Sequence, residues 1–192
     1  RWWIPGQWTL GREKPTWLQS GYRIHHPLRF DNRLYISCWQ AGFAVVDVSD
    51  ISKPRTIARM PSVFGYPTHT ILPFRQPGSE SDFVVVVDEG WNDVNEAVPG
   101  NLWVADISNP QDCKAISVFR VDEVPPSMPG YWGAHQPHEE IIDGFAFVAW
   151  FQRGLRVVDV SDPFHPRAAG TFMPTLNDNR KRCMSNDLFI DS

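Results

Sequence analysis

The stretch FAFVAWFQRGLRVVDVSDPFHPRAAG, residues 145–170, decides the fold. Two apolar runs, FAFVAWF and LRVVDV, flank Gln152, Arg153 and Gly154, the pattern of two strands joined by a tight reversal. At Ser161–Pro166 two prolines, Pro163 and Pro166, end the second strand, because proline has no N–H for a ladder and fixes φ. Arg167 to Phe172 then supplies another strand.

Most of the chain copies this pattern. IHHPLRFDNRLYISCWQAGFAVVDVSDISKPRTIARM, residues 24–60, aligns with it at an offset of 112 without a gap. That alignment places His26 on His138, Asp31 on Asp143, Gly42 on Gly154, Asp47 on Asp159, Asp50 on Asp162, Pro54 on Pro166 and Arg55 on Arg167. Agreement at polar, turn and apolar positions together marks an internal repeat rather than a shared hydrophobic pattern. A third, more divergent copy lies between them, as PTHTILPF (67–74), DFVVVVDEG (82–90) and GNLWVADISNP (100–110), with longer loops at 75–82 and 91–100. SNDLFIDS (185–192) begins a fourth, with Asn186 in the place of His138.

Composition supports an all-β chain. Its 17 prolines and 13 glycines leave no window with a sustained 3.6-residue apolar period. At 42% hydrophobic content, 192 residues can bury a real core. The net charge of −4, with Lys and Arg scattered, gives no electrostatic footprint for nucleic acid, and no apolar run is long enough for a membrane span.

One repeat reads as a four-stranded meander that cannot cover both of its faces alone. Stacking such sheets radially gives a β-propeller. The expected division is a Trp-rich loop or edge at 1–23, blades at 24–60, 61–122 and 131–175, and the start of the next at 183–192. That is about three four-stranded blades plus the beginning of a fourth. Beginning at Arg1 and ending inside a strand-like run, the sequence reads as a piece of a larger ring. Further chain or another subunit would complete that ring. The Asp of each DVSD, DISN and DVSD phrase (Asp47, Asp106, Asp159) is expected to accept turn N–H groups, with Ser49, Ser108 and Ser161 doing likewise.

GFAVVDVSDISKP and GLRVVDVSDPFHP resemble the LVIVD repeat of bacterial and archaeal β-propeller proteins, with the glycine, the DVSD turn and the proline in order. A narrower resemblance, LYISCWQAGFAVVDVSDISKP at 34–54, is to the selenium-binding protein and methanethiol oxidase family. It implies histidines that bind a metal, usually copper, and oxidation of a thiol. LVIVD-type proteins are often exported, whereas an acidic chain with unpaired cysteines favours a reducing interior. The compartment stays open.

The chemistry-bearing candidates are histidines at the starts of inner strands: His25, His26, His69, His135 and His138. Inner strands of successive blades line a central channel, which would bring His26, His69 and His138 toward one axis. Imidazole suits copper, iron and zinc, and three ligands leave a position open for water or a small-molecule substrate. Glu139, Asp88 and Glu89 are candidate carboxylates beside such an ion, Glu139 foremost as the catalytic base. The competing reading gives these histidines only structural hydrogen bonds, in a non-catalytic propeller whose loops bind a protein or ligand partner. Cys38, Cys113 and Cys183 form no C-x-x-C pair, and Cys38 aligns with Trp150 as a core position.

Overall fold

The computed structural model of the chain describes residues 23–76, 78–90, 100–121, 131–176 and 183–191. The Trp-rich segment at 1–22 and the loop at 91–99 lie outside the described residues. The described part is all-β, with antiparallel sheets arranged as three blades of a β-propeller. The first blade pairs β1 (Pro27–Phe30), β2 (Arg33–Ser37), β3 (Phe43–Asp47) and β4 (Arg55–Met60) in sequence order. The second does the same with β5 (Thr68–Phe74), β6 (Phe83–Asp88), β7 (Leu102–Asp106) and β8 (Lys114–Phe119). The third has β9 (Phe145–Ala149), β10 (Leu155–Asp159) and β11 (Arg167–Phe172).

In this third blade the innermost strand is reduced to one bridge, Pro137 to Val148, so the sheet has three strands where four were expected. Cys183 to Asp191, the expected start of a fourth blade, form no strand. Ser185 instead donates its backbone N–H to the Phe151 carbonyl at 2.8 Å, which ties this segment to the inner end of the third blade.

The middle blade explains the unbroken FVVVVD run. A strand covered on both faces has no polar side to show, and all six residues of β6 are buried. Val84 and Val86 face the first blade, packing with Tyr35, Phe43, Val45 and Trp103. Phe83, Val85 and Val87 face the third, packing with Ala146, Val148, Trp150 and Val158.

The repeated turn is built as the sequence predicts. Asp47 Oδ1 accepts the Ser49 N–H at 2.9 Å, Asp106 Oδ1 that of Ser108 at 2.8 Å and Asp159 Oδ1 that of Ser161 at 3.0 Å. The second oxygen of Asp47 takes Arg55 and that of Asp159 takes Arg167, at 2.9 and 2.8 Å. A feature that no residue type announced also repeats. Each third strand slips register against the fourth at the same place, between Val45 and Val46, Val104 and Ala105, and Val157 and Val158. Such slips add twist, which a radial stack requires. Gly42 and Gly154 repeat too, with φ of 80° and 74°. A Cβ on either would overlap the carbonyl oxygen of the neighbouring strand, Met60 or Phe172.

These turns set an acid limit. Hydrogen bonds from Ser49 and Arg55 pull the Asp47 carboxyl down to about 2, and Ser161 and Arg167 lower that of Asp159. A carboxyl depressed in the folded state binds its proton more readily once unfolded, so its contribution is full above its ordinary value near 3.8 and is lost as pH falls toward 2. The double variant Asp47→Asn/Asp159→Asn is expected to be less stable at neutral pH and to lose stability less steeply below about pH 4. Urea midpoints measured against pH test this. Parallel wild-type and variant curves would assign the acid limit to other groups.

Candidate metal centre

Four histidines meet where the inner ends of the three blades converge. His25 and His26 precede β1, His69 lies in β5 and His135 precedes the bridge residue Pro137. The ladder register shifts between Thr68 and Thr70, and His69 is the extra residue there. Around His69 the ring centroids of His25, His135 and His26 lie at 4.3, 4.4 and 5.9 Å. Two ligand groups result, His25–His26–His69 and His69–Glu89–His135, with donor atoms of each group within 4.8 Å of one another. Glu89 follows β6 and its carboxylate is 3.8 Å from His135 Nε2.

The partners of the opposite ring nitrogens settle which atoms face inward. A carbonyl oxygen can only accept, so His25 Nδ1–H donates to the His69 carbonyl at 3.3 Å and His135 Nδ1–H to that of Asn186 at 2.6 Å. Both rings therefore keep a bare Nε2 lone pair when neutral. His69 Nδ1 is engaged by Thr70 Oγ1 at 2.7 Å, which leaves its Nε2, and His26 Nε2–H donates to Glu139 Oε1 at 3.2 Å, which leaves its Nδ1. Burial favours the neutral form of three of these rings. It lowers the pKa of His25 and His135 and pushes His69 down to about 2, with the neighbouring histidines adding to the effect at His69.

The blades aim these rings through packed partners. The buried Ser37 hydroxyl donates to the His69 carbonyl at 2.6 Å and accepts the His26 N–H at 2.8 Å, joining blades one and two. His25 stacks on Trp39 at 4.6 Å, and His135 on Phe151 at 4.5 Å. Trp39 and Phe151 are themselves 112 apart, so the sequence repeat carried this wall although only the histidines drew attention to the site. Trp39 adopts φ of 54°, uncommon for a non-glycine residue, to present its indole.

His138 stands apart from both ligand groups. Its ring meets Phe189 at 5.6 Å, edge to face, and it lines a cleft beside the cluster. The gapless alignment that paired it with His26 fails in the inner strand. Pro27 pairs with Ile36 and Pro137 with Val148, so the outer partners keep the 112 offset while the prolines are 110 apart. His25-His26-Pro27 therefore corresponds to His135-Gln136-Pro137, and two extra residues lie between Pro137 and the Asp143 turn.

Three glycines bring the second and third blades close enough for this geometry. Gly90, Gly100 and Gly133 pack backbone to backbone: a Cβ on Gly90 or Gly133 would strike the other two, and one on Gly100 would strike Gly90 and the backbone of Asp88 and Glu89. Next to them the Ala134 N–H donates to the Gly100 carbonyl at 3.0 Å, and the Gly90 N–H to that of Ala134 at 3.3 Å. Glu89 and His135 are the chain neighbours of this contact. Asp88 lies on the far side, fully buried, where burial pushes its carboxyl up to about 8 and where Trp103 and Thr68 bond its oxygens. It holds the core rather than the cluster. Cys38 is likewise buried, its thiol pushed up to about 12, and it is absent from both ligand groups.

The molecule is thus a propeller of LVIVD-like blades with a histidine-lined centre. Residues 31–60 and 140–174 match the LVIVD repeat, in each case taking in the second to fourth strands of the first blade or their counterparts in the third. No curated protein matches the chain. No helix among the described residues is long and apolar enough to cross a membrane.

Proposed function

We propose that His25, His26, His69, His135 and Glu89 hold one transition-metal ion, of the copper, iron or zinc class, and that the protein is a metal-dependent oxidoreductase for a small molecule. The observation that carries this is the convergence of ring nitrogens around His69: the opposite nitrogens of His25, His135 and His26 donate to the carbonyls of His69 and Asn186 and to Glu139, and that of His69 is bonded to the Thr70 hydroxyl. Imidazole nitrogens and a carboxylate gathered within 4.8 Å of one another suit a cation, which takes up their lone pairs. His69 contributes a single free nitrogen to both groups, so the two share one ion rather than binding two. When bound, the metal would supply Lewis acidity, or electron transfer if it is copper or iron. Around it the chain's own residues orient the ligands: Glu139 accepts the His26 Nε2–H hydrogen bond and holds that ring, and the Thr70 hydroxyl, bonded to Nδ1, holds that of His69.

Elemental analysis tests this on protein expressed with copper, iron and zinc all supplied. The expected result is about one equivalent of one metal, falling below about a tenth of that in His69→Gln and His135→Gln variants whose circular dichroism is unchanged. A wild-type protein that is folded and metal-free after such growth overturns the metal centre and leaves a propeller that acts by binding a partner.

A further inference from the structure

Beside the cluster a cleft of about 620 Å³ opens to solvent, with His26 and His138 on its walls. Its charged lining is of one sign. Glu139, Glu140 and Asp187 surround it, and among the described residues no lysine or arginine lines it. Gln136 adds a neutral acceptor. That residue is only 8% exposed, and its Nε2–H is spent on the Pro137 carbonyl at 2.9 Å. The amide oxygen of Gln136 has no hydrogen-bond partner among the described residues and is left to the cleft. Gln136 occupies the repeat position where the first blade has His26, so the third blade puts an acceptor where the first puts a metal-ligand candidate.

These acceptors do not form a second ion site. Among the described residues, none of the three carboxylates belongs to a group of three or more such ligands converging within 4.8 Å. They are spread around a space of molecular size, whose remaining wall is apolar: Leu188, and Phe189, a residue 80% exposed whose ring meets His138 edge-on. A ligand that fits must donate several hydrogen bonds, carry positive charge and offer an apolar arm. We propose that this cleft binds a small organic ammonium ion, with its N–H groups on Gln136 and the carboxylates and its apolar arm against Phe189. As the substrate class of the centre this rests on the metal reading, whereas the binding itself stands on the cleft alone. An exposed aromatic face adds attraction for a cation as well as a surface for the arm.

Benzylamine, a cation at neutral pH, is the probe, with benzyl alcohol and benzoate as neutral and anionic isosteres. Titration of the purified chain by ligand-observed NMR is expected to give binding in the millimolar range or tighter for benzylamine, about tenfold weaker for benzyl alcohol and none for benzoate. The surface variant Glu140→Gln/Asp187→Asn is expected to weaken benzylamine about tenfold and to leave benzyl alcohol unchanged. Gln136→Leu should weaken it by about fivefold. Equal affinity for the amine and the alcohol, or an unchanged affinity in the carboxylate variant, overturns the proposal. Running each titration on chelator-stripped and zinc-loaded protein separates it from the metal reading. Benzylamine binding that survives stripping supports the cleft whatever the elemental analysis finds. Binding that appears only with zinc and vanishes in His69→Gln means that the amine ligates the ion, and overturns recognition by the cleft.

Discussion

Gly90→Ala is expected to cost the protein more than about 3 kcal/mol of stability and with it the candidate metal centre. The added Cβ would overlap the Gly100 amide nitrogen and lie 2.9 Å from Gly133 Cα. Every obstacle is backbone, and backbone cannot rotate out of the way as a side-chain end can. Relief therefore requires the exit of β6 to move away both from the entry of β7 in its own blade and from Gly133 of the third blade, where the Ala134 to Gly100 and Gly90 to Ala134 hydrogen bonds join the two. Glu89 and His135, adjacent to these residues in the chain, would separate as the seam opens. Gly78→Ala is the comparison. Its φ is left-handed, at 78°, but nothing lies within 4 Å of the new carbon, so only conformational strain of about 1 kcal/mol is expected. Urea denaturation of both variants, with metal content measured on each, tests the argument. A Gly90→Ala protein no less stable than Gly78→Ala, or one that keeps its metal, would show that the seam accommodates a methyl group and that the glycines do not set the ligand spacing.

The blades were legible because their determinants are local. A glycine with φ near 75–80°, an Asp that caps its own turn and an alternation of apolar residues each act within about ten residues, and each recurs at 112. The apolar VVVV run marked a strand, and in the structure all six residues of β6 are buried between the flanking blades. The centre was legible in part. His25, His26, His69 and His135 were all singled out by their place at inner-strand starts, and they do converge. Reading His138 into the same set failed because two extra residues between Pro137 and Asp143 change the register of the inner strand alone, where the sequence carries too few matching positions to reveal a gap. Glu89 was readable only as one of two acids after a strand, and which of them turns inward depends on packing. Asp88 pairs across the ladder with Thr68 and points at Trp103, so the next residue faces His135. The Gly90–Gly100–Gly133 contact joins residues far apart in the chain, and no local pattern encodes such a contact.

Trp103→Ala is expected to leave the chain largely unfolded. Trp103 is fully buried at the centre of the interface between the first two blades, its ring 6.2 Å from that of Phe43 and 5.8 Å from that of Phe64. Removing so large a side chain from a core costs about 3–5 kcal/mol in lost burial and cavity. A second cost arises from Asp88, fully buried, whose Oδ2 accepts the indole N–H at 2.9 Å and loses that donor. Such an orphan acceptor adds about 1–3 kcal/mol. The sum approaches the whole stability of an ordinary domain, about 5–15 kcal/mol. The two costs can be measured apart. Trp103→Phe keeps most of the ring and loses only part of the packing together with the N–H, so it is expected to remain folded at a cost of about 2 kcal/mol. In an Asp88→Val background there is no buried acceptor to abandon, and the same Trp103→Phe change should cost at least about 1 kcal/mol less. Equal costs in the two backgrounds would mean that the indole N–H contributes nothing to Asp88 and that packing alone holds this interface. A smaller cost in Asp88→Val would locate the polar pin of the first interface beside the strand end from which Glu89 reaches the histidines, so that the core and the candidate centre are held by consecutive residues of β6 and its exit.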